Sequence, residues 1–463
     1  MIPARLKPVL AAGAPSRILG EIFAAAGKEL YLVGGSVRDA FLDVDTNDFD
    51  FATNARPAEI VELLDGWADN VFTVGEAFGT IGAVRDGVVY EITTFRSDVY
   101  RDDSRKPQVE FSDDIETDLS RRDFTVNAMA IRIPSDEAGE PEMVDPFHGL
   151  ADLATQRLRT PVDPEISFGD DPLRMMRLYR FVSALGFAPD AVAADAVVRM
   201  RSRLSIISAE RIRDELSKLL RGSHVSEGLW GLIRSGLAAE VLPELAALEL
   251  EQDPVHHHKD VLAHTVAVVA KTSPIETLRL AALFHDVGKP ATREFGPQGV
   301  SFHHHEVVGA RMARHRMRQL RYPKDQIRDV SQLVFLHMRP HTYKLGWTDS
   351  AVRRYVRDAG ELLPLLNELV RCDVTTRSQK RARTIARRID ELEDRIAELR
   401  EQEELDALRP PIDGNEVMAH LDLAPGPDVG EAMRMLLEHR IEHGPYEPAE
   451  AYRLLDEWWT ARS

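Results

Sequence analysis

The sequence has few of the features that mark secreted or membrane proteins. Cys372 is the single cysteine among 463 residues, so a framework of internal disulfides is excluded and a reducing compartment is expected. No apolar run approaches the ~20 residues that a membrane helix needs. The apolar stretch at residues 9–14 is short and stops at Pro15, which makes it a poor secretory signal. We therefore expect a cytoplasmic protein with no membrane association.

Positive charge is also in short supply. The chain carries 76 acidic and 58 basic residues, a net charge of −18, which argues against a protein that coats itself with nucleic acid. A local basic face can still bind RNA, and residues 377–388 and 311–328 are two candidate stretches. The first contains no acidic residue and holds three candidate RNA contacts, Arg381, Arg387 and Arg388. The alternative is that both stretches are solvated helix faces.

The length suggests about three domains of roughly 100–200 residues, with ample chain for a buried core. Apolar β-rich runs alternate with helical segments such as Ala58–Leu64 early in the chain, at Leu30–Val33, Phe49–Ala52, Val88–Phe95 and Ala128–Ile133. After Pro161 the strand signals disappear, and helical spacing continues at Leu173–Leu185, Ala209–Leu220, Ser226–Ala239 and Thr376–Glu404. The predicted fold class is α+β, with a mixed head at 1–155 and helical parts at 156–250, 251–376 and 377–463.

The first chemical signal is a pair of aspartates, Asp48 and Asp50, on a predicted strand. Side chains alternate faces along a strand, so both carboxylates point one way while the intervening Phe49 points into the core. Carboxylates held side by side need a cation, and Mg²⁺ prefers one or two of them together with substrate phosphates. The pattern indicates a two-metal site for phosphoryl or nucleotidyl transfer. Glu91 is either a third metal-facing carboxylate or a surface glutamate on an edge strand.

A glycine pair precedes these aspartates. A strand is followed by Gly34 and Gly35 and then by a helix start. Because glycine has no Cβ, backbone N–H groups can approach a phosphate, and the N-terminus of a helix favours an anion. Arg38 in the first turn can pair with a triphosphate oxygen. The alternative is a tight turn with a surface arginine.

A further block, Arg121–Ala130, supplies two adjacent cations and then returns to a strand. In order and spacing, three motifs resemble the head of class II tRNA nucleotidyltransferases and bacterial poly(A) polymerases, in the polymerase-β-like superfamily: Gly34–Asp39, Asp48-x-Asp50 and Arg121–Ala128. This resemblance implies a head with a small mixed sheet and Mg²⁺. It also implies that the Gly35 turn, Arg38 and Arg122 hold the triphosphate.

The resemblance continues into the helical neck, where Asp170–Arg177 is similar to the family's base-reading motif, Glu-Asp-x-x-Arg, with aspartate in place of the glutamate. Asp171 and Arg174 are three residues apart and are expected to share a helix face. The carboxylate would accept from the exocyclic amine of cytosine or adenine, and the guanidinium would donate to the ring nitrogen. Asp171 could also act as a helix N-cap. The resemblance implies that Arg177 and Arg180 hold triphosphate or base.

A histidine–aspartate constellation follows. The Phe-His-Asp-Val-Gly-Lys-Pro segment resembles the HD phosphohydrolase superfamily, and four residues fit its metal-ligand positions: His264, His285, Asp286 and Asp373. Imidazoles and carboxylates suit a divalent metal. The site either hydrolyses phosphoesters, binds metal for structure alone, or has lost the metal. Further histidines either extend it to two metals, line a phosphate pocket or lie on the surface: His303, His304, His305, His337 and His341.

Two segments bear on the product. Phe95–Pro107 looks like the flexible loop of full CCA-adding enzymes, and Val74–Thr80 lacks the arginines that poly(A) polymerases carry at the matching place. The predicted function is therefore addition of CCA to the 3′ end of tRNA, from CTP and ATP. One alternative is a poly(A) polymerase or an enzyme that adds only A. Another is an HD phosphohydrolase whose head is a non-catalytic RNA-binding module, and a third is an RNA chaperone. The oligomeric state stays open.

Overall fold

The computed structural model describes residues 2–45, 48–99, 108–136, 139–249, 260–296, 299–340, 347–374, 379–403 and 408–462. The side chain of Asp48 lies outside the described part, although its backbone belongs to a strand. The chain divides into two compact units, Met1–Pro243 and Glu244–Ser463. Each unit is described by itself below.

The first unit contains eleven of the described strands. They are β1 (Leu30–Val33), β2 (Asp48–Thr53), β3 (Asn70–Phe72), β4 (Thr80–Arg85), β5 (Val88–Thr94), β6 (Arg96–Val99), β7 (Gln108–Phe111), β8 (Ala130–Arg132), β9 (Glu142–Val144), β10 (Arg157–Leu158) and β11 (Ala188–Pro189). Seven strands form one mixed sheet in the order β3-β4-β5-β2-β1-β8-β9. Only β2 and β5 are parallel within it. The predicted small mixed sheet is therefore confirmed.

The sheet forms where the apolar pattern predicts it. Strand β1 is buried along its whole length, and β2 begins one residue before the predicted run Phe49–Ala52. Phe49 and Phe51 both stack on Tyr90 of β5, with ring centroids 6.1 Å apart in each pair. Alternate residues of β2 thus pack against aromatic side chains, which leaves the positions between them for the opposite face.

Helices of the first unit lie before, between and after these strands. The described ones are α1 (Pro15–Ala25), α2 (Gly35–Phe41), α3 (Pro57–Leu63), α4 (Ile115–Ser120), α5 (Gly149–Ala154), α6 (Pro164–Asp170), α7 (Leu173–Leu185), α8 (Ala191–Met200), α9 (Ala209–Leu220), α10 (Val225–Arg234) and α11 (Leu237–Val241), followed by α12 (Pro243–Ala246) at the boundary between the units. Helix α7 packs against α9 and α10. Helices α7 and α9 have the bounds predicted from spacing alone.

The second unit is almost wholly helical. Its helices are α13 (Val261–Lys271), α14 (Glu276–Phe284), α15 (His305–Gln319), α16 (Lys324–Leu336), α17 (Asp349–Ala359), α18 (Leu363–Cys372), α19 (Gln379–Glu403), α20 (Gly414–Leu421), α21 (Pro427–His443) and α22 (Pro448–Thr460). The last three share a core, formed by Ile412, Val417, Ala432, Leu436, Ala451 and Leu455. No described helix is both long and apolar enough to cross a membrane.

Two expectations for the helical region were wrong. Strands do occur after Pro161, because β12 (Glu294–Gly296) and β13 (Gly299–Ser301) pair as an antiparallel hairpin. They are too short and too exposed to carry an alternating apolar pattern. The predicted helix Ser226–Ala239 is in fact α10 and α11, divided at Gly236, whose φ of 80° is left-handed and ends the helical run.

Candidate functional site

The glycine pair shapes one wall of the site in the first unit. Gly34 has φ 71° and ψ −130°, a conformation that glycine adopts readily and L-residues rarely do. A Cβ at Gly34 would lie 2.7 Å from Nη1 of Arg122 and 3.9 Å from Oδ2 of Asp50. Helix α2 then begins at Gly35, as predicted. The absent side chain therefore lets a guanidinium and a carboxylate approach the turn.

Asp50 stands next to this turn on β2. Its backbone N–H approaches Oγ of Ser36 at 3.4 Å, which ties the strand to the start of α2. Asp48 lies two positions earlier on the same strand, so the backbone places it on the same face. Glu91 pairs with Asp50 in the β2–β5 register, but its side chain is exposed and it is absent from the described lining of the cavity defined below. The carboxylates are oxygen donors of the kind that suits a hard divalent cation.

Arg121 and Arg122 are held by a buried aspartate that no sequence motif singles out. Arg121 donates to Oδ1 of Asp118 through Nε at 3.0 Å and Nη2 at 2.7 Å, and Arg122 reaches Oδ2 at 3.2 Å. Burial alone would raise the pKa of Asp118, but the two guanidinium groups outweigh it and hold the pKa below its usual value. The helical spacing of three and four residues was the available sequence signal.

The ring of Phe181, on α7, lies next to the guanidinium groups of three arginines. The guanidinium carbons of Arg38, Arg177 and Arg180 lie 5.3, 5.7 and 3.9 Å from its ring centroid. Arg180 also lies 2.9 Å from Oε2 of the buried Glu215, and burial lowers the pKa of Arg180 to about 10. An aromatic face shared by cations stabilises them where they are partly desolvated. No sequence motif pointed to Phe181, whereas Glu215 lies in Ser208–Leu216, a segment that resembles the family motif bracing the base-reading helix.

Asp171 and Arg174 both line the site, but their backbone placement differs from the prediction. Asp171 precedes α7 with an extended backbone, φ −135° and ψ 98°, because the residue before a proline is pushed out of the helical region. The expectation that both residues share a helix face was therefore wrong. Oδ1 of Asp171 accepts from the N–H of Leu173 at 3.1 Å, so it does help to cap α7, and Oδ2 accepts from Arg211 at 2.7 Å.

Arg174 is 7% exposed and firmly oriented. Its Nη1 donates to the carbonyl and the hydroxyl of Ser167, at 3.2 and 2.9 Å, and its Nη2 donates to the carbonyl of Arg121. A guanidinium has five N–H donors, so these three contacts leave two to meet a ligand. Arg174 thereby links the base-reading segment to the arginine block of the head motifs.

These residues surround one cavity of about 860 Å³. Its lining includes nine of the site residues named from sequence: Gly34, Gly35, Arg38, Asp50, Arg122, Asp171, Arg174, Arg177 and Arg180. In all, eight arginines face four aspartates, so the cavity is basic although the whole chain is acidic. Such a space suits a polyanionic ligand of nucleotide size. Phe78, Arg96 and Arg211 also line it, and none of the three was predicted to be a site residue.

The histidine–aspartate ligand candidates of the second unit also converge. Nε2 of His264 lies 2.8 Å from Oδ1 of Asp373 and 3.3 Å from Nε2 of His285. Oδ2 of Asp286 lies 3.5 Å from Nε2 of His264 and 3.3 Å from Nε2 of His285. Residues from α13, the end of α14 and the end of α18 thus aim nitrogen and oxygen donors at one point. The set fits a divalent metal.

Charge within this buried cluster is compensated by its own side chains. Burial lowers the pKa of His285, but Asp286 and Asp373 outweigh it and raise the pKa to about 10. Lys289 lies 2.6 Å from Oδ2 of Asp286. Burial and His285 lower the pKa of His337 to about 3, so that imidazole is neutral. Positive charge therefore accumulates beside the carboxylates, where a metal ion would supply it instead.

The remaining predicted residues are more scattered. Arg387 is exposed on α19 and lies 3.2 Å from Glu391, and Arg388 is half-buried. The side chain of Arg381 lies outside the described residues, as do residues 100–107 of the predicted loop and His341. His303 and His304 are exposed, whereas His305 and His337 are buried near Asp286.

Three known protein families match successive parts of the chain, in the order of the predicted head, neck and HD segments. The Poly A polymerase head domain matches residues 30–159, the probable RNA- and SrmB-binding site of polymerase A matches residues 186–249, and the HD domain matches residues 255–399. The A-adding tRNA nucleotidyltransferase of Deinococcus radiodurans is 34% identical over 92% of this chain and 95% of that enzyme. The CCA-adding enzyme of Anoxybacillus flavithermus is 41% identical, over 49% of this chain and 54% of that enzyme.

Solved structures agree with these relatives. The CCA-adding enzyme of Bacillus stearothermophilus in complex with CTP superposes with a TM-score of 0.69 at 25% identity, over 97% of this chain and 98% of that one. The Thermotoga maritima CCA-adding enzyme, complexed with tRNA, shares the fold with a TM-score of 0.58 at 16% identity, over 96% and 94% of the two chains. Near-complete alignment with a tRNA nucleotidyltransferase, together with a basic cavity beside Asp50, shows that this chain belongs to the tRNA nucleotidyltransferase family.

Proposed function

We propose that this protein builds the CCA end of tRNA by adding nucleotides from CTP and ATP to an RNA 3′-hydroxyl, without a nucleic-acid template. The observation that carries the proposal is the shared cavity that holds Asp50, the Gly34 turn, Asp171 and Arg174. Such a reaction needs a carboxylate that can bind metal, a turn whose backbone can approach a phosphate, and a pair of side chains that can read the base. CCA-adding enzymes among its relatives support this product.

In the proposed reaction the RNA 3′-oxygen bonds to the α-phosphorus of the nucleotide, the bond to the β-phosphate oxygen breaks, and pyrophosphate leaves. Asp48 and Asp50 would hold Mg²⁺, which when bound lowers the pKa of the hydroxyl and stabilises charge on the phosphate oxygens. Arg122, beside Gly34, and Arg38, beside Gly35, would hold the departing pyrophosphate. Glu91, next to Asp50 in register, is the candidate for a third carboxylate.

Asp171 and Arg174 would select the base. The carboxylate accepts from the exocyclic amine of cytosine or adenine, whereas uracil and guanine present a carbonyl oxygen there. Leaving a buried carboxylate opposite an oxygen costs roughly 1–3 kcal/mol, enough to exclude the wrong base about 10-fold to 100-fold. Contacts with Arg211 and Ser167 hold the pair in place before a nucleotide arrives, so less ordering is required on binding.

We propose a division of labour along the chain. Residues 1–155 would carry the chemistry, 156–250 would read the base, 251–376 would form an HD unit, and 377–463 would contact RNA, with Arg381, Arg387 and Arg388 as the candidate contacts. The HD unit would bind a divalent metal at His264, His285, Asp286 and Asp373 and would hydrolyse phosphoesters. The support for that second activity is the convergence of these donors at hydrogen-bond distance.

Addition of A alone is the second candidate product. The relative that aligns with nearly the whole chain, from Deinococcus radiodurans, is an A-adding enzyme. Such an enzyme would share the metal carboxylates and the arginine-lined cavity. The two candidates differ in whether CTP is used.

The deciding experiment offers labelled CTP and ATP, singly and together with Mg²⁺, to tRNA that lacks its CCA end and to tRNA that ends in CC. Product length is read on a sequencing gel. Three added residues that require both nucleotides would establish CCA addition. One A on the CC-ended tRNA with no use of CTP would establish A addition, and long tails from ATP alone would contradict both candidates.

A further inference from the structure

Helix α15 presents a line of exposed arginines. Arg311, Arg314 and Arg318 are three and four residues apart, so their side chains leave the helix on one face, and all three are exposed. We call these three residues the arginine row. Helix α15 packs on α16, and the buried positions of its other face include Gly309, Ala310, Ala313 and Met317. The packing of the helix thus fixes the direction in which the arginine row points.

Carboxylates do not neutralise the arginine row. Within the part of the chain that the structure describes, no ion pair joins the row to an aspartate or a glutamate. Arg316, on another side of α15, does have a partner, because its Nε lies 2.9 Å from Oε2 of Glu244. On α16, Arg328 donates to both Asp325 and Asp329 at 2.9 Å, so those carboxylates already serve another arginine.

Local helix stability does not account for this charge. Basic residues favour the last turn of a helix, and the effect falls off within that turn. Arg318 lies in the last turn of α15, but Arg311 and Arg314 come before it. Lys324 is exposed at the first position of α16, where a cation opposes the helix dipole. In a chain of net charge −18, unneutralised cations on one face indicate a binding surface for an anion.

The spacing of the arginine row fits the phosphate backbone of RNA. A helix rises 1.5 Å per residue, so the row extends about 10 Å from Arg311 to Arg318. Each strand of a duplex carries a phosphate for roughly every 3 Å of its axis, and a guanidinium can bind a phosphate through two parallel N–H groups. A membrane surface fits less well, because an interfacial helix inserts its apolar face and that of α15 packs on α16.

We propose that the arginine row binds the phosphate backbone of the tRNA, at phosphates other than those of the 3′ end that reacts. The inference rests on the proposed function, which makes tRNA the substrate. The described residues that line the arginine-rich cavity belong to the first unit, whereas α15 belongs to the second. The row and the cavity therefore hold different parts of the RNA. Phosphate contacts position an RNA without reading its sequence, so the row adds affinity for any tRNA that lacks its CCA end.

The test removes the charge of the arginine row in the full-length chain. Binding of a tRNA transcript without its CCA end is measured by fluorescence anisotropy over a range of salt concentrations. In the triple variant Arg311→Gln, Arg314→Gln and Arg318→Gln, Kd should rise about 10-fold at low salt, and the slope of log K against log salt should shrink by about 2–3. The KM for tRNA should rise as well, whereas kcat and the KM values for CTP and ATP at saturating tRNA should not change.

A matched control removes the same charge from three arginines that are paired with carboxylates, through Arg328→Gln, Arg354→Gln and Arg357→Gln. It should keep the tRNA affinity within about threefold. Replacing the arginine row with lysines keeps the charge and should preserve the salt slope. Equal weakening in the control would overturn the proposal, as would unchanged tRNA affinity in the glutamine variant of the row. If that variant instead lost affinity for poly-L-glutamate alone, the row would be a surface for an acidic protein.

A second measurement uses the unsubstituted chain. Phenylglyoxal modifies exposed arginines, and mass spectrometry of the peptides reads each site. The tRNA should protect the arginine row, while Arg354 should react to the same extent with and without tRNA. Equal modification of the row in both conditions would overturn the proposal. The binding and protection measurements contain no nucleotide, so a chain that binds tRNA through the row but adds neither C nor A would contradict the proposed function alone.

Discussion

Oδ2 of Asp123 accepts hydrogen bonds from both Nε and Nη2 of Arg177, at 2.8 and 2.5 Å. Oδ1 of Asp123 accepts from Nδ2 of Asn127 at 2.9 Å, and Oδ1 of Asn127 in turn accepts from Nη1 of Arg38 at 2.5 Å. A continuous chain of charged and polar groups therefore connects α7 to the glycine turn. Two arginines of the cavity are positioned by this one aspartate.

Asp123 makes the fold sensitive to acid. Burial alone would raise its pKa, but Arg177 outweighs burial and holds the pKa well below the ordinary aspartate value of 3.8. A lowered folded-state pKa contributes stability above about 3.8 that is lost as the pH falls toward the folded value. Asp123→Asn should lower the free energy of unfolding by roughly 3 kcal/mol at neutral pH, since it removes the main ionic partner of Arg177 and leaves that guanidinium only Glu215 at 3.5 Å.

The stability difference between the native chain and Asp123→Asn should shrink progressively below pH 3.8. Urea denaturation of both proteins, followed by circular dichroism across the acid range, measures this difference. Asp65→Asn is a suitable control because Asp65 is exposed. A difference that stayed constant down to the lowest pH would show that Asp123 does not carry the linkage.

Asp48 and Asp50 should be indispensable to nucleotide incorporation. Replacing both with Asn keeps side-chain volume but removes the charge that holds Mg²⁺, and kcat should fall on the order of 10³-fold or more. The exposed neighbours Asp43 and Asp45, 84% and 88% exposed, provide Asn controls in the same segment that should keep near-normal rates. Steady-state incorporation of labelled ATP into tRNA measures the effect, and a surviving rate would mean that the metal site lies elsewhere.

Gly34→Ala tests the turn itself. An alanine at residue 34 would have to adopt φ 71°, which is unfavourable for L-residues. Its Cβ would also lie 2.7 Å from Nη1 of Arg122. Displacement of that guanidinium should raise KM for both nucleotides and lower kcat, each by about 10-fold or more. Gly66→Ala is a control, because Gly66 also has φ 71° but a Cβ there would meet no atom within 4 Å. An equal loss of activity in both variants would point to backbone strain and not to the arginine.

Asp171→Asn should relax base selection. The amide can donate to the O4 of uracil, so UTP should be used about 10-fold to 100-fold more readily relative to CTP. Arg211→Ala should have a smaller effect, below about 10-fold, because the Arg211 side chain is 51% exposed and its contact with Asp171 positions that carboxylate without replacing it. Arg213→Ala, whose side chain pairs with Asp214, is the matched control on α9. Competition assays with mixed nucleotides measure the ratio, and unchanged ratios would remove Asp171 from base reading.

His285→Ala together with Asp286→Ala should separate the two proposed activities. Both residues lie in the second unit, so hydrolysis of a phosphodiester such as bis(p-nitrophenyl) phosphate should disappear. Nucleotide incorporation should persist, provided that circular dichroism shows a folded chain. Loss of incorporation in a folded variant would show that the proposed division of labour is wrong.

The local spacing of apolar residues predicted much of the secondary structure. Strand β1 and helices α7 and α9 have the bounds expected from apolar spacing, because period-2 and period-3.6 patterns act over a few residues. The long helix α19 also falls within its predicted segment. The hairpin β12–β13 escaped prediction since it packs little apolar surface, and one glycine divided a predicted helix in two.

The candidate sites, by contrast, depend on contacts that local sequence pattern does not predict. Motif residues such as Gly34, Asp50 and Arg174 could be named from the chain because their chemistry needs particular residue types at short spacing. Their partners could not, since Arg177 meets Asp123 and Arg211 meets Asp171 across 54 and 40 positions of sequence. Only tertiary packing decides which distant groups come together away from water. Burial then shifts their pKa values and determines the free energy that their desolvation costs. Asp286 lies near His264, His285 and His305 for the same reason.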